Sequence, residues 1–508
     1  MKKGIKKVAY YLVKSLIISN FVVLKNKTHT NMLRDKGTKN LSELKNFFTT
    51  GEKAFFAIYN TLRSLKIDFK RFGFKKANNE KISAKMKLFL LIFFPFFSIN
   101  NPANYCKSNI YKLFSFQKDI FYRLLKNQNI LWRELVHCIT LKIIHKSDKI
   151  NYLGKENKPK CLIIDDTDLP KTGRKMEWIG YIFSHVSGSY MLGFKGLFLS
   201  FFDGSSFFPW DMSLHVEMGR NKKKPQGLSK KEAKKRYSKE RDKNSAGKER
   251  ENECFKSKMD MTIKLLASAF KLLKPDYVLV DSWFTCYRLV AAVAKKAHFL
   301  GMIKMGKTKY LYNGKSLTCN DINRKLKATK KVTYSKKFKQ YHRECIVDFQ
   351  GIKIKLFFVK SSKRGKYRGI ITTNLELNFE RAFEIYAIRW TTEIFFKEAK
   401  QYLGLGKCQS VDFDAQTAST SIVMLEYSLL SLAKKELEYQ TIGGIFKDIQ
   451  KDTQTPTLDE RILLIIKELV LDLAEILEIP FEELITKIIS ENEQLMKWIN
   501  LNPLSEAA

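Results

Sequence analysis

The sequence predicts an α/β protein whose central mixed region is flanked by helical regions. Two short apolar segments, residues 161–164 and 277–280, have the length of buried strands, and each is followed directly by aspartate. The stretch at about 299–374 is rich in strand-like runs separated by turn residues. On both sides of the central region, apolar residues recur at intervals of three and four, the spacing of amphipathic helices.

The net charge of the chain indicates which class of partner it binds. The 508 residues include 92 Lys and Arg against 51 Asp and Glu, a formal net charge of +41. A surplus of that size favours a polyanionic partner, most simply nucleic acid. The alternative reason for the same surplus is an AT-rich genome, whose codons favour lysine. The eight cysteines form no C-x-x-C pair and no Cys/His cluster at zinc spacing, which fits a reduced cytosolic protein.

The apolar runs predict no membrane segment. The run LFLLIFFPFFSI at 88–99 is shorter than the roughly 20 residues of a spanning helix, and Pro95 interrupts it. The first residues loosely resemble a signal peptide, but Lys14 breaks their apolar stretch and no A-x-A-like cleavage site follows. We therefore expect a cytoplasmic protein.

The remaining elements follow from local patterns. Residues 1–150 predict a helical, basic N-terminal region, and residues 431–508 predict a helical C-terminal region. The stretch GFKGLFLSFFDGSSFFPWDMSLHV predicts a hairpin with strands at 196–202 and 206–214 around the turn 203–205. An apolar stripe at 458–477 must be buried against the protein's own core or a partner subunit.

Residues 220–253 are almost wholly charged and predict an exposed, mobile linker. Such a run is either solvated or an arm that contacts phosphates. The basic residues that we would assign to a phosphate-contacting arm are Lys222, Lys223, Lys224, Lys234, Lys235 and Arg236.

The stretch YAIRWTTEIFFKEAKQYLGL at 386–405 predicts a helix with four polar residues on one face. Arg389, Glu393 and Lys400 follow Tyr386 at steps of three, four and seven, which keep side chains on one side of a helix. Arg389 and Glu393 alone would be an ordinary surface ion pair. The complete row of phenol, guanidinium, carboxylate and ammonium indicates a functional face.

Acidic residues follow both central strands, and Glu393 supplies a third carboxylate. Because active-site crevices form outside the carboxyl ends of parallel strands, we expect Asp281 to lie near Asp165 or Asp166. Three convergent carboxylates cannot all stay ionised without a cation. Their hard oxygen atoms suit Mg²⁺ or Mn²⁺, and two such ions support in-line phosphoryl displacement. The pattern leaves both Asp165 and Asp166 open as the first ligand.

The combination resembles a known family. Tyr386-x2-Arg389-x3-Glu393-x6-Lys400 is similar to the Y-x2-R-x3-E-x6-K signature of bacterial insertion-sequence DDE transposases related to insertion-sequence family four. IIDDTDLPKTG resembles their first-acid block, of the form D-x-[ST], and VLVDSWF resembles their second-acid block. ITTNLEL and YLGLGKCQS look like the surroundings of their third acid. The resemblance covers about residues 161–410.

The resemblance implies an α/β, RNase H-like catalytic core at 151–430, with a β-rich insertion at about 299–374 between the second Asp and the Glu. It implies that Asp165, Asp281 and Glu393 hold two Mg²⁺ or Mn²⁺ ions, with Asp166 as the alternative to Asp165. Tyr386, Arg389 and Lys400 would then hold the phosphates of a DNA end.

The same resemblance implies cut-and-paste transposition of an insertion sequence. The partner would be double-stranded DNA, as terminal inverted repeats bound by residues 1–150 and as target DNA. Pairing of two ends suits a homodimer, for which residues 431–508 are the candidate surface, in a bacterial, nucleoid-associated protein. The alternatives are a catalytically decayed or domesticated DNA-binding protein that retains the fold, and a metal nuclease without strand transfer.

Overall fold

The structure, a computed structural model, describes residues 54–75, 83–108, 111, 116–150, 158–216, 227–329, 332–454 and scattered positions from 470 to 487. Residues Glu52–Thr455 form one compact unit, and the helices and strands given below belong to it. Lys222, Lys223, Lys224 and most of the apolar stripe at 458–477 lie outside the described residues.

Helices precede the strands, separate them and follow them. In chain order they are α1 (Ala54–Ser64), α2 (Ala84–Phe93), α3 (Pro102–Tyr105), α4 (Asp119–Leu125), α5 (Trp132–Asp148), α6 (Lys230–Ala233), α7 (Ala246–Cys254), α8 (Lys258–Ala269), α9 (Tyr287–Val293), α10 (Cys319–Thr329), α11 (Phe379–Ala387), α12 (Trp390–Tyr402), α13 (Phe413–Glu436) and α14 (Ile442–Gln454). Many begin at a Ser, Asn or Asp whose side chain accepts a backbone N–H of the first turn, which satisfies a donor that the helix leaves unpaired. Such N-caps are Ser83, Asn101, Ser229, Ser245, Ser257, Asn378 and Asp412.

The strands of the described residues form one open mixed sheet. They are β1 (Cys161–Pro170), β2 (Gly180–Ser184), β3 (Ser189–Phe202), β4 (Phe207–His215), β5 (Tyr277–Val280), β6 (His298–Ile303), β7 (Lys309–Tyr312), β8 (Lys315–Thr318), β9 (Thr333–Ser335), β10 (Gln340–Phe349), β11 (Ile352–Lys360) and β12 (Arg368–Thr372). The order across the sheet is β2-β3-β1-β5-β6-β12-β11-β10-β7-β8, with β4 on β3 and β9 on β10. The predicted α/β class is confirmed.

Parallel pairing is confined to the centre of the sheet. There β1 pairs with β5, and β5 with β6, in parallel. On one side, β3 pairs antiparallel with β1, and β4 with β3. The predicted hairpin is thus present, and Asp203 stabilises its turn by accepting from the backbone N–H groups of Ser205 and Ser206. On the other side, β6 to β12 lie in the segment whose sequence predicts strands.

The helices before and after the sheet share its core. Helix α5 lies against β4 and α13, and α13 also lies against α1, α2 and α4. Nearly every side chain of α13 from Phe413 to Ala433 is buried. The predicted boundary at residue 430 therefore falls inside a single buried helix. No helix among the described residues is long and apolar enough to span a membrane.

The expectation of an exposed linker at 220–253 holds only in part for its described residues, 227–253, because several of their charged side chains are buried. Arg241 has no exposed side-chain surface and donates to both Glu177 carboxylate oxygens, at 2.9 and 2.7 Å, and to Asp414 at 3.1 Å. Lys239 adds a second contact to Asp414 at 2.7 Å. Buried charges are tolerated where opposite charges and hydrogen bonds surround them. Composition alone does not reveal those partners, because they lie far away in the chain.

Other charges of this segment also pack on the protein. Glu253, on α7, accepts two hydrogen bonds from Arg133, at 2.7 and 2.9 Å, and Arg133 also donates to Asp211 at 2.9 Å. Arg236 lies over the Trp178 ring at 5.3 Å and donates to the Ile179 carbonyl. Lys234 and Lys235 are exposed.

The single helix predicted at 386–405 is two consecutive helices, α11 and α12. Ile388 and Arg389 lie between them and keep right-handed helical dihedrals. Beyond this point α12 is anchored by Phe395 and Phe396, whose rings lie 5.6 and 5.4 Å from that of Phe198 on β3. Since Phe198 is the register partner of Asp165, this packing holds α12 beside the acidic part of β1.

Candidate active site

The first two acids occupy equivalent positions on neighbouring strands. The parallel register pairs Ile164 with Val280, and Asp165 and Asp281 are the next residues in each chain segment. Asp281 follows the carboxyl end of β5, as the sequence predicts, whereas β1 continues to Pro170, so Asp165 lies within its strand and not after the end of it. The Asp165 side chain is only 14% exposed.

Arg389 links the first acid to the third. Its Nη1 donates to Asp165 Oδ2 at 2.7 Å, and its Nη2 donates to Glu393 Oε1 at 2.6 Å. The Arg389 side chain is 14% exposed and that of Glu393 is 36% exposed. A guanidinium that bridges two carboxylates in a partly buried site makes strong, charge-assisted hydrogen bonds.

The alternation of side chains along β1 separates the two candidate first ligands. Successive side chains of a strand point to opposite faces. Asp165 and Thr167 contact Arg389 and Lys400, respectively, at the α11–α12 junction and on α12. Asp166, on the other face, forms an ion pair with Lys258, the first residue of α8. Asp165 is thus the acid that lies in the same row as Arg389 and Glu393.

Lys400 also contacts β1. Its Nζ donates to Thr167 Oγ1 at 2.7 Å. Burial lowers the pKa of the Lys400 ammonium, Asp168 opposes that shift, and Lys195 adds to it. Arg389 and Lys400, the two basic residues of the row, therefore both contact the strand that carries the first acid.

Tyr386 lies on the same side of the site. The Arg389 guanidinium is 5.8 Å from the centre of the Tyr386 ring. Burial raises the pKa of Tyr386 to about 12; Arg389 opposes the shift, and the Asp281 carboxylate adds to it. The phenol is therefore a neutral hydrogen-bond donor at physiological pH.

Burial and like charge act together on Asp165. Burial raises the pKa of Asp165 to about 7, Arg389 opposes the shift, and Asp281 adds to it. The backbone N–H of Asp166 also donates to Asp165 Oδ1 at 2.8 Å. The influence of Asp281 on both Asp165 and Tyr386 indicates that the three groups share one site.

The segment after Asp281 is fixed by that residue. Asp281 Oδ1 accepts from the backbone N–H groups of Trp283 at 2.9 Å and Phe284 at 3.2 Å, an Asx-type turn. The Trp283 side chain is 40% exposed, and the Lys258 ammonium lies 3.8 Å from the centre of its ring. Lys258 therefore contacts both the Asp166 side of β1 and the loop that follows β5.

The acids fit a hard divalent cation by their chemistry, but they do not form a complete cage. In the described part of the chain, no three His, Cys, Asp or Glu side chains are grouped closely enough to hold a metal ion. Asp165 and Asp281 are neighbouring carboxylates whose mutual repulsion a cation would relieve. Glu393 is paired with Arg389 instead of joining them.

Sequence reasoning missed two contacts of this site. Lys258 follows a charged segment and matches no motif, so nothing in the sequence singled it out. Thr167 is the third residue of the D-x-[ST] pattern, and this position could have suggested that it is a partner for Lys400. Of the six basic residues predicted at 220–253, Lys234, Lys235 and Arg236 are described, and no contact with the carboxylates is observed for these three.

Comparison with known families bears on the class of protein. The model of a family described as the transposase DDE domain matches residues 245–429, a little over a third of the chain. The matched segment contains Asp281, Tyr386, Arg389, Glu393 and Lys400. No curated protein matches the chain. The match supports a DDE transposase.

Proposed function

We propose that the protein is a DDE transposase that cuts DNA at the terminal inverted repeats of an insertion sequence and joins the freed ends to target DNA. The observation that carries the proposal is the convergence of Asp165, Arg389 and Glu393, with Asp281 on the adjacent strand end. The family match over residues 245–429 supports the same reading. The mixed sheet, with antiparallel strands extending it between the second Asp and the Glu, supports an RNase H-like core with a β-rich insertion.

The acids would hold the metal ions of the reaction. Asp165, Asp281 and Glu393 are the proposed ligands of two Mg²⁺ or Mn²⁺ ions, which would supply activation of the attacking oxygen and stabilisation of the leaving oxygen. Asp165 brings a partly buried carboxylate, and Asp281 is held in place by the turn that its own side chain caps. Asp166 is less suited to this role because it pairs with Lys258 on the other face of β1.

The basic members of the row would bind the DNA end. A guanidinium matches two phosphate oxygens in a fork, and an ammonium acts as a compact point charge. Arg389 and Lys400 are 11 residues apart along this row and would contact separate phosphates. The neutral phenol of Tyr386 would donate to a phosphate oxygen or stack on a base.

The test uses the full chain and the DNA that flanks its gene. Purified protein would be incubated with Mg²⁺ and a linear fragment that contains the gene and both flanks, together with a supercoiled target plasmid. Sequencing of the products should reveal breaks at the borders of an inverted repeat and junctions between those borders and the plasmid.

Other products would assign the protein to another class. Specific binding of the flanks without breaks would indicate a DNA-binding protein that retains the fold. Breaks without junctions would indicate a metal nuclease without strand transfer. Asp281→Asn serves as the control, because any product that it still forms does not come from this site.

A further inference from the structure

Arg389 and Lys400, the two basic residues of the row, both contact β1. Arg389 bridges Asp165 and Glu393, and Lys400 donates to Thr167. The Arg389 side chain has little exposed surface. Because both terminal nitrogens of Arg389 already donate to carboxylates, a phosphate that binds them in a fork would compete with Asp165 and Glu393 for the guanidinium.

The atoms that Arg389 engages are those that a metal ion would need. Asp165 Oδ2 and Glu393 Oε1 each accept a short hydrogen bond from the guanidinium. In the described part of the chain, no third acid joins the pair to form a metal cage. The guanidinium thus supplies the positive charge that converging carboxylates require.

Release of the guanidinium requires little rearrangement of the backbone. Arg389 has helical dihedrals, φ −52° and ψ −33°, and its N–H donates to the Tyr386 carbonyl at 3.0 Å. The packing of Phe395 and Phe396 fixes the helix that follows. A change in the side-chain torsions of Arg389 would therefore be enough to release the guanidinium, without moving the backbone of α12.

We propose that Arg389 is an internal cation that excludes metal from Asp165 and Glu393 until a DNA phosphate draws its guanidinium away. This inference rests on the proposed function, because it takes Asp165 and Glu393 as metal ligands and Arg389 as a residue that binds a DNA phosphate. Binding of a phosphate by Arg389 frees two carboxylate oxygens, and binding of a metal ion frees Arg389. Each ligand then strengthens the binding of the other by the same factor, as thermodynamic linkage requires. The metal ions would therefore bind mainly to protein that already holds DNA.

The test measures Mn²⁺ binding by calorimetry on the full chain, with and without a short duplex of arbitrary sequence. The wild-type protein should bind Mn²⁺ about tenfold more tightly with the duplex, the scale of one charge-assisted hydrogen bond. Arg389→Gln should bind Mn²⁺ about tenfold more tightly than wild type without DNA, and the duplex should add little. Asp281→Asn should weaken Mn²⁺ binding, which identifies the site measured.

The control is Arg381→Gln, which removes an arginine of α11 that pairs with Glu384 at 3.0 Å and is 41% exposed. It should leave both Mn²⁺ affinities unchanged. If Arg389→Gln fails to fold by circular dichroism, Arg389→Lys takes its place, and it should tighten Mn²⁺ binding partially because an ammonium cannot bridge both acids in the same fork. The inference is overturned if the folded variant binds Mn²⁺ no more tightly than wild type, or if DNA leaves wild-type affinity unchanged. Since metal affinity is the readout, absence of cleavage with the coupling intact would refute only the proposed reaction.

Discussion

The guanidinium of Arg389 donates to the carboxylate of Asp165 at 2.7 Å, across 224 residues of the chain. The contact joins β1, the first strand along the chain, to the junction of α11 and α12, the two helices that follow the last strand, β12. It depends on two independent placements, the β1–β5 register and the packing of α12 on Phe198. A single hydrogen bond thus reports whether Asp165 and Arg389 have been brought together.

Asp281→Asn and Glu393→Gln should each abolish DNA strand cleavage while leaving binding of end DNA within about twofold. Each change removes a proposed metal ligand and no phosphate contact. Cleavage would be measured on the gene's flanking DNA in Mg²⁺, and binding by gel shift without metal. Wild-type cleavage by either variant would refute its assignment as a ligand.

Asp165→Asn and Asp166→Asn should differ. Asp165 lies with Arg389, whereas Asp166 pairs with Lys258 on the opposite face, so Asp165→Asn should cause the larger loss of cleavage. The same two proteins, assayed side by side at equal occupancy of DNA, provide matched controls for each other. Equal residual activity would mean that the face of β1 does not decide which acid acts.

The stability of the metal-free, DNA-free protein should carry a signature of Asp165. Its pKa is raised by burial from 3.8 to about 7 in the folded protein, so the folded state keeps a proton that the unfolded state loses. The contribution of Asp165 to stability is therefore present below pH 4 and is lost as pH rises to about 7. The free energy of unfolding of Asp165→Asn, minus that of wild type, should grow over this window by on the order of 1 kcal/mol per unit of pKa shift. A difference that stays constant with pH would contradict the burial of this carboxyl.

Local pattern was enough to predict the elements that position the acids. Buried strands read as short apolar runs, and the first four residues of β1 and the whole of β5 fit that pattern. The apolar run did not predict that β1 continues through Asp165 to Pro170, because that part is stabilised by its pairing with β3. The turn at Asp203 and Gly204 has its own chemistry, which made the hairpin predictable. The row on α12 was visible because helical spacing alone puts Glu393 and Lys400 on one side.

The rest depends on partners that lie far away in the chain. In the sequence, Arg241 is one more charged residue of a segment that reads as solvated. Its ion pairs with Glu177 and Asp414 cannot be predicted from any local pattern. The same holds for Lys258, whose partners lie on β1 and after β5. The signature residues were predicted to face DNA, but the sequence does not indicate that Arg389 and Lys400 contact β1.

The buried network of Arg241 should be far more important for stability than an exposed pair. Arg241→Gln leaves the Glu177 and Asp414 carboxylates buried without their main partner, and we expect a loss of about 3 to 5 kcal/mol. The control is Arg288→Gln, since Arg288 is 63% exposed and pairs with the half-exposed Asp260; its loss should be below about 1 kcal/mol. Denaturant unfolding of both variants measures the difference. Similar losses for the two would show that the charged segment is solvated after all.

The salt dependence of DNA binding should separate the two readings of the charged segment. Lys234 and Lys235 are exposed, whereas Arg236 packs on Trp178, so neutralising Arg236 would disturb the fold rather than report on DNA. Replacing the two exposed lysines by glutamine, and in a second protein also Lys222, Lys223 and Lys224, should flatten the plot of log affinity against log salt. Each lost phosphate contact should lower the slope by about 0.9, because each contact releases counterions from the duplex. The matched control replaces two lysines that lie in the β-rich segment, Lys325 and Lys327, which should leave the slope of the wild type if only the charged segment contacts DNA. An unchanged slope in the five-residue variant would assign the segment to solvent and leave DNA binding to other basic surfaces.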